Sequence, residues 1–534
     1  MNRWSEKKQK NRIKTQFGKN PMDMENWESL QLRMYEIEMY EQRRRKTFNR
    51  EWVDDVTWND LEMDRVFARI NHTRTYMGEQ ILYHRLHGCK NRQKLQRMEK
   101  RIAFFSCQES SRIKVEEKLS HIGKQKENYY LPLFLMDEIN WPVTSCIGLY
   151  LQQVLLVICL AGTVLVRSNV WGLGLLVVAT VNLLIYLHAK NKYEGNLFAV
   201  ANMKVALDFC NWMIKSFEGN QLYADEEILQ ALEKTRKLAK QMGRWQARKY
   251  QSVTGDLTGI VQDYLAGVTL YDIVAFCHIE KALRKCRKET LQLYEFVGDV
   301  DTDIAIASFR KSLTNWCSPM IQKSGSIRLE KICHPLMDDG VANSIELRKG
   351  AIFTGANASG KSTFMKAVAI NVILAQTIHT CVAKNVKMPT IKVMTSMALR
   401  DDVVQKESYY MREMKYLKRM FDEIEKGEPV LFVIDEILKG TNTRERLGAS
   451  KAILSYMAQK PGFLLVATHD LELVKAEEDL YETYYFDSQI CGKDIIFPYK
   501  MKQGIAVRTN AIDLMEMMDF PKEITDKARI VSAR

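Results

Sequence analysis

The sequence predicts an α + α/β chain: a helical region interrupted by an apolar helical hairpin, followed by a parallel α/β domain built around a glycine-rich loop. Three observations predict it. Across residues 51–125, Leu61, Val66, Ile70, Met77, Ile81 and Leu82 recur at three- and four-residue spacing, the period of a helix with one packed face. Residues 147–166 and 171–187 carry no formal charge. After residue 325, short β-rich runs such as AIFTG, PVLFVID and FLLVATH alternate with helical ones, the pattern of strands joined by crossover helices.

Length and composition set the frame. A chain of 534 residues, 46% hydrophobic and 27% charged, has room for two to four domains and is neither mainly disordered nor collagen-like. The mean hydropathy of -0.26 excludes a polytopic membrane protein and leaves room for one short insertion. A formal charge of +13 permits polyanionic partners, nucleic acid or anionic lipid, without naming either. The 11 cysteines are scattered and form no C-x-x-C pair, which argues against a zinc site or a disulfide framework and suits a reducing compartment.

The expected organisation is a basic N-terminal arm over 1–50, helices over 51–142, the apolar hairpin over 143–192, further helices over 193–324 and the α/β domain over 325–534. The arm, MNRWSEKKQKNRIKTQ, has no apolar run behind it and so is no secretory signal; it reads as a solvated tail, followed by a helix that is amphipathic or solvated. In the hairpin, IGLYLQQVLLVICLAGTVLV matches the roughly twenty residues a helix needs to cross a bilayer's ~30 Å hydrocarbon core. Its partner, WGLGLLVVATVNLLIYL, needs its flanks to do so. Lys124 and Lys126 precede the pair, Lys190 and Lys192 follow it, and only Arg167 lies in the loop. By the positive-inside rule both soluble parts are cytoplasmic, with two spans in the cytoplasmic membrane. Gln152, Gln153 and Asn182 are expected to face each other or a partner helix rather than lipid. The alternative is a hairpin buried in a soluble core.

Gly355-Ala356-Asn357-Ala358-Ser359-Gly360-Lys361-Ser362 is a complete G-x-x-x-x-G-K-S loop between a strand-like and a helix-like run. Its glycines let backbone N–H groups wrap phosphate oxygens at a helix N-terminus. Lys361 is expected to reach the β- and γ-phosphates of ATP, and the Ser362 hydroxyl to ligate Mg²⁺. The run PVLFVID ends in Asp435 and Glu436: the first would hold Mg²⁺, the second would orient or deprotonate the attacking water. His469 ends a third strand, where it could sense a γ-phosphate; on its own it is an ordinary loop histidine.

TGANASGKST, DDVVQKESYYMREM, VIDEILKGTNTRERLGAS, ATHDLEL and QGIAVRTNAIDLMEMMDFPKEITDKAR resemble, in order and spacing, the signatures of the MutS family ATPase domain. VDDVTWNDLEMDRVFARINHTRTYMGEQILYHRL and CHPLMDDGVANSIEL resemble that family's core and its entry into the ATPase domain. The resemblance covers nearly everything from about residue 51 except the hairpin, and it implies an ATPase of the MutS and ABC type acting as a head-to-tail homodimer. It adds Thr363 to the nucleotide loop, makes His469 a switch histidine, sends Ser408 to the opposite subunit's nucleotide, and puts Asn442 and Thr443 at the dimer interface. Lys406-Glu407 stand where the family has Gly-Arg. With about fifty residues before the core, a mismatch-reading domain is expected to be missing. The sole Phe-x-Glu, Phe421-Asp422-Glu423, falls inside the ATPase domain.

Two functions follow as expectations. One is a membrane-tethered, ATP-switched clamp on double-stranded or branched DNA, carried by Lys234, Arg236, Lys237, Lys240, Arg244, Arg248 and Lys249 and by Arg284, Lys285, Arg287 and Lys288. The other is an ATP-gated scaffold or mechanochemical switch acting on an unidentified membrane protein partner without nucleic acid. An ABC transporter ATPase fits poorly, since no LSGGQ-like run is present and two spans make no pathway.

Overall fold

A computed structural model describes residues 3–48, 52–88, 92–136, 146–166, 168–217, 225–252, 264–356, 358–397, 409–439, 441–491, 494–505, 512, 515–516 and 518–532. The helical part is organised around two crossing helices, Tyr76–His87 and Arg287–Ser312. They meet at Gly298, where a Cβ would come within 2.3 Å of Ile81, so only glycine permits the approach. The first helix starts at Thr75, whose hydroxyl caps Gly78 N–H and donates in turn to buried Asp301 at 2.7 Å. Fully buried Arg85 pairs with Asp299 and, at 2.8 Å, with Asp303, so its charge is matched inside the core.

The N-terminal stretch departs from the expected arm. Trp27–Phe48 is a helix whose Leu30, Ile37 and Tyr40 are buried in the main core; only its remaining faces are solvated. An electrostatic hub holds it there. Glu79, fully buried, accepts from Arg33 on that helix at 2.8 Å, from Asn71 and Lys124 at 2.8 Å each, and from Tyr129. Burial alone would push the Glu79 carboxyl up, but Lys124 and Arg33 bring it from 4.5 to about 2. A depressed carboxylate stabilises the fold fully above its unfolded value and loses that contribution as pH falls toward its folded one. Glu79→Ala is expected to cost about 3–5 kcal/mol, the usual loss when one partner of a buried ion pair is removed. In denaturant titrations the wild type should weaken as pH drops from about 4.5 toward 2, and Glu79→Gln should flatten that dependence.

Cys146–Val166 and Asn169–Ser216 form the hairpin. Both contain windows long and apolar enough to cross a bilayer, and only 11% and 17% of those windows is buried within the chain. Packing in this chain's core therefore does not account for their apolar surface. The second helix runs on without a break, so that Met203, Leu207, Cys210 and Met213 enter the main core. Lys124 and Lys126, read from sequence as flanking charges, are instead ion-paired with Glu79 and Glu36. Arg167 lies outside the described residues.

The expected parallel sheet is present, with an addition. Six strands run in the order β12-β9-β4-β8-β7-β6 (Met501–Gln503, Glu482–Phe486, Gly350–Gly355, Gly462–Ala467, Val430–Asp435, Lys392–Ser396), parallel except at the β12 edge. A second, mixed sheet in the order β1-β5-β2-β3 (Met320–Gln322, Asn385–Pro389, Ile327–Ile332, Asn343–Leu347) was not expected. The hydrophobic cluster is continuous from the helices into both sheets, across the expected boundary at 324. Polar contacts reinforce the seam: Asp60 accepts from Thr395 Oγ1 at 2.7 Å and Met397 N–H at 2.9 Å, while Arg310 donates to Thr380 Oγ1 and His379 O at 2.9 Å each.

Candidate active site

Strand β4, all but its last residue buried, delivers the glycine-rich loop to the C-terminal edge of the sheet. Gly355 has φ +136°, and a Cβ there would lie 2.5 Å from Phe486 O, so the loop can leave the strand only at a glycine. Gly360, with φ +103°, opens the helix Lys361–Thr377. The first turn of a helix leaves N–H groups without intrahelical partners. Lys361, Ser362 and Thr363 therefore present donors at the positive end of the helix dipole. Lys361 is buried, and its ammonium donates to Gly355 O at 2.7 Å and Ala356 O at 2.9 Å; burial pulls its pKa below the usual lysine value. Ser359 Oγ is buried and has no hydrogen-bond partner among the described residues.

Strand order brings the acids to this loop. Strand β8 lies between β4 and β7, with Phe353 and Asp435 both in register with Ala467. Asp435, ending β7, accepts from Ser362 Oγ at 2.6 Å. The next residue, Glu436, adopts φ +63°, a left-handed conformation that costs a non-glycine residue about 1–3 kcal/mol and is met mostly at functional sites. Its N–H bonds Ala467 O at 2.9 Å, while its carboxylate lies 3.2 Å from His469 Nε2 and 3.5 Å from Lys439 Nζ. The His469 hydrogen bond holds the Glu436 carboxyl below the usual carboxylate range. Arg446, on the helix Thr443–Ala458, grips Asp470 with two bonds of 3.0 and 2.9 Å and so fixes the turn carrying His469.

These groups line one cavity of about 720 Å³, with Ala358, Ser359, Gly360, Lys361, Ser362, Thr363, Asp435, Glu436 and His469 on its walls. Asn442 and Thr443 are not among its lining residues: Asn442 caps the helix it precedes, accepting from Glu445 N–H at 3.0 Å, and Thr443 is exposed. Asn357 and Ser408 lie outside the described residues. The far wall was missed from sequence. His334, Asn343 and Tyr499 stand there, and Asn343 ties the strand of Tyr499 down through Tyr499 O and Met501 N–H, at 2.9 Å each. Burial lowers the His334 pKa to about 4, so its imidazole is neutral at pH 7. No spacing rule marks these three, because they meet only when β2, β3 and the 499 turn converge. The donor set suits a nucleoside triphosphate and a divalent cation: helix N–H groups, a buried ammonium and an unpartnered hydroxyl for phosphate, and a hydroxyl–carboxylate pair for Mg²⁺.

Residues 351–534 match the family MutS domain V. The DNA mismatch repair protein MutS of Aquifex pyrophilus is 26% identical over 263 residues, covering 46% of this chain and 30% of that protein. That of Natronomonas pharaonis is 29% identical over 243 residues, covering 43% and 28%. That of Listeria monocytogenes is 25% identical over 266 residues, covering 47% and 31%. The matched part of the chain thus spans about 30% of the length of these relatives.

Proposed function

We propose that this chain, whose residues 351–534 match MutS domain V, is a membrane-anchored ATPase of that family whose α/β parts pair around ATP and switch a DNA-binding helical core. What supports the reading most is the convergence of Lys361, Ser362, Asp435, Glu436 and His469 on one cavity. In this reading the loop Gly355–Thr363 binds the phosphates, Lys361 neutralises the β- and γ-oxygens, and Ser362 with Asp435 holds Mg²⁺. That ion supplies charge neutralisation on the transferred phosphoryl oxygens. Glu436, already ionised and hydrogen-bonded to His469, is a weak base; its part is to orient the attacking water. His334 and Tyr499, on the cavity's far wall, are proposed to flank the nucleobase of ATP. Ser408, Asn442 and Thr443 are proposed as contacts made across the dimer.

DNA enters through the exposed cations Arg236, Lys237, Lys240, Arg244 and Lys285 on two helices that pack together, Glu226–Ser252 and Tyr271–Lys285, with Lys288 on the next helix, Arg287–Ser312, and Arg284 paired with Glu280. Lys234 is exposed too but shares its charge with Glu289 at 2.8 Å. Lysine and arginine on phosphates read no sequence. Duplex binding by the purified full chain should therefore fall with salt, about fortyfold between about 50 and 200 mM for three phosphate contacts. It should prefer a G·T mismatch by less than about tenfold, under ~1.4 kcal/mol, where a single mispair shifts a base-reading protein by ~1–3 kcal/mol. ATP should change the affinity, since closing the paired site moves the two cores. No binding at low salt would favour the second reading, an ATP-gated scaffold for a membrane protein.

A further inference from the structure

Beside the hairpin, the described chain resumes at Tyr264 with the end of a helix, breaks at Leu270 with φ +53°, and starts again as the helix Tyr271–Lys285. A break of this kind strips backbone carbonyls of their helical partners. Two of them are received by the hairpin's own polar side chains. Gln153 Nε2 donates to Thr269 O and Asn182 Nδ2 to Val268 O, both at 2.8 Å. Around them Leu149 and Tyr186 of the hairpin close with Leu270, Val274 and Cys277 into a separate apolar cluster. Gly267 lies so near the second span that a Cβ would come within 2.9 Å of Tyr186.

Depth follows from helix rise. From Ile147 to Gln153, and from Asn182 to Ala189, the rise is about 9–10 Å at ~1.5 Å per residue, which falls inside one leaflet of a ~30 Å hydrocarbon core. Tyr150 and His278 share a hydrogen bond of 2.5 Å nearer the span's end, the level at which amphipathic rings favour the interface. Irregular backbone at membrane depth persists only where its polar groups are satisfied by protein, which is what Gln153 and Asn182 do. Outside this contact, Tyr264 and Leu265 are 59% and 54% exposed and carry the apolar surface of the spans onward.

We infer that Tyr264–Val274 is a third bilayer-embedded element, a re-entrant break seated on the base of the hairpin with lipid acyl chains covering Tyr264 and Leu265. The inference rests on the hairpin's being in the membrane. It also gives the bilayer a second connection to the α/β part. The Tyr271–Lys285 helix passes through Cys286 into Arg287–Ser312, whose Arg310 bonds the chain at His379 and Thr380.

The test places the photo-crosslinker benzoylphenylalanine at single positions of the full chain, reconstituted in phosphatidylethanolamine–phosphatidylglycerol vesicles, and reads lipid adducts by mass spectrometry. Val157 in the first span and Leu229 on the exposed face of Glu226–Ser252 are the references. Adducts at 157 and 265 with none at 229 are expected, and Gln153→Leu with Asn182→Leu should bring 265 down to the level of 229 while leaving 157 unchanged. Adducts at 157 with 265 at the level of 229 would overturn the inference and leave the hairpin in the membrane. The level of 229 at 157 as well would overturn both. Adducts at 265 that survive the double substitution would contradict the role given to the two amides.

Discussion

Lys361→Ala is expected to weaken ATP binding by about 10–100-fold, whereas Glu436→Gln is expected to keep the affinity and slow hydrolysis by about 10²–10³-fold; the contrast follows from what each group touches. The Lys361 ammonium is a buried cation among the loop's dipoles, and its bonds to Gly355 O and Ala356 O show that it reaches across the loop. Removing it leaves phosphate charge to N–H dipoles alone, a loss of about 1.5–3 kcal/mol for a charge-assisted bond. Glu436 stands one residue beyond the Asp435–Ser362 pair, turned by its left-handed backbone toward His469. An amide of the same shape keeps the geometry and loses the charge that orients water, so binding survives while turnover falls. Equilibrium binding of a fluorescent ATP analogue and single-turnover hydrolysis separate the two. Equal loss of binding in both variants would refute this division of labour.

Deleting residues 143–190 should move the chain from the carbonate-resistant membrane pellet to the soluble fraction. The two apolar windows, hardly covered by the chain itself, supply the surface that would hold it in a bilayer. Tyr264–Leu270 alone is too short to span and loses Gln153 and Asn182 as partners in the same deletion. Both soluble parts are expected on one side, so protease added to right-side-out vesicles should leave the α/β part intact. Cleavage there would reverse the proposed topology, and an unchanged pellet after the deletion would remove the hairpin as the anchor.

The strand, glycine-rich loop and helix were legible because their geometry is local: glycines at Gly355 and Gly360, a strand before and a helix after lie within one short stretch. Asp435, Glu436 and His469 were legible as strand ends, though the placement of β8 between β4 and β7 was not, since strand order is decided by long-range pairing. Whether the N-terminal helix was amphipathic or solvated stayed open in the sequence because its charge pattern conceals Arg33, whose partner Glu79 lies 46 positions away. Gln153 and Asn182 were rightly seen to need partners within protein, but the partners are carbonyls exposed by a break at Leu270, and nothing in the apolar run around it announces a left-handed residue. His334 and Tyr499 escaped for the same reason as the mixed sheet: short strands far apart in sequence carry little periodicity.

The most direct test of an ATP-switched pair is the mass of the full-length Glu436→Gln variant in detergent, followed by light scattering as ATP and Mg²⁺ are added. The account predicts a monomer-to-dimer shift driven by ATP, reversed by its removal and lost when Lys361→Ala is added to the same chain. An unchanged mass at saturating ATP, in a variant shown to bind the nucleotide, would contradict it.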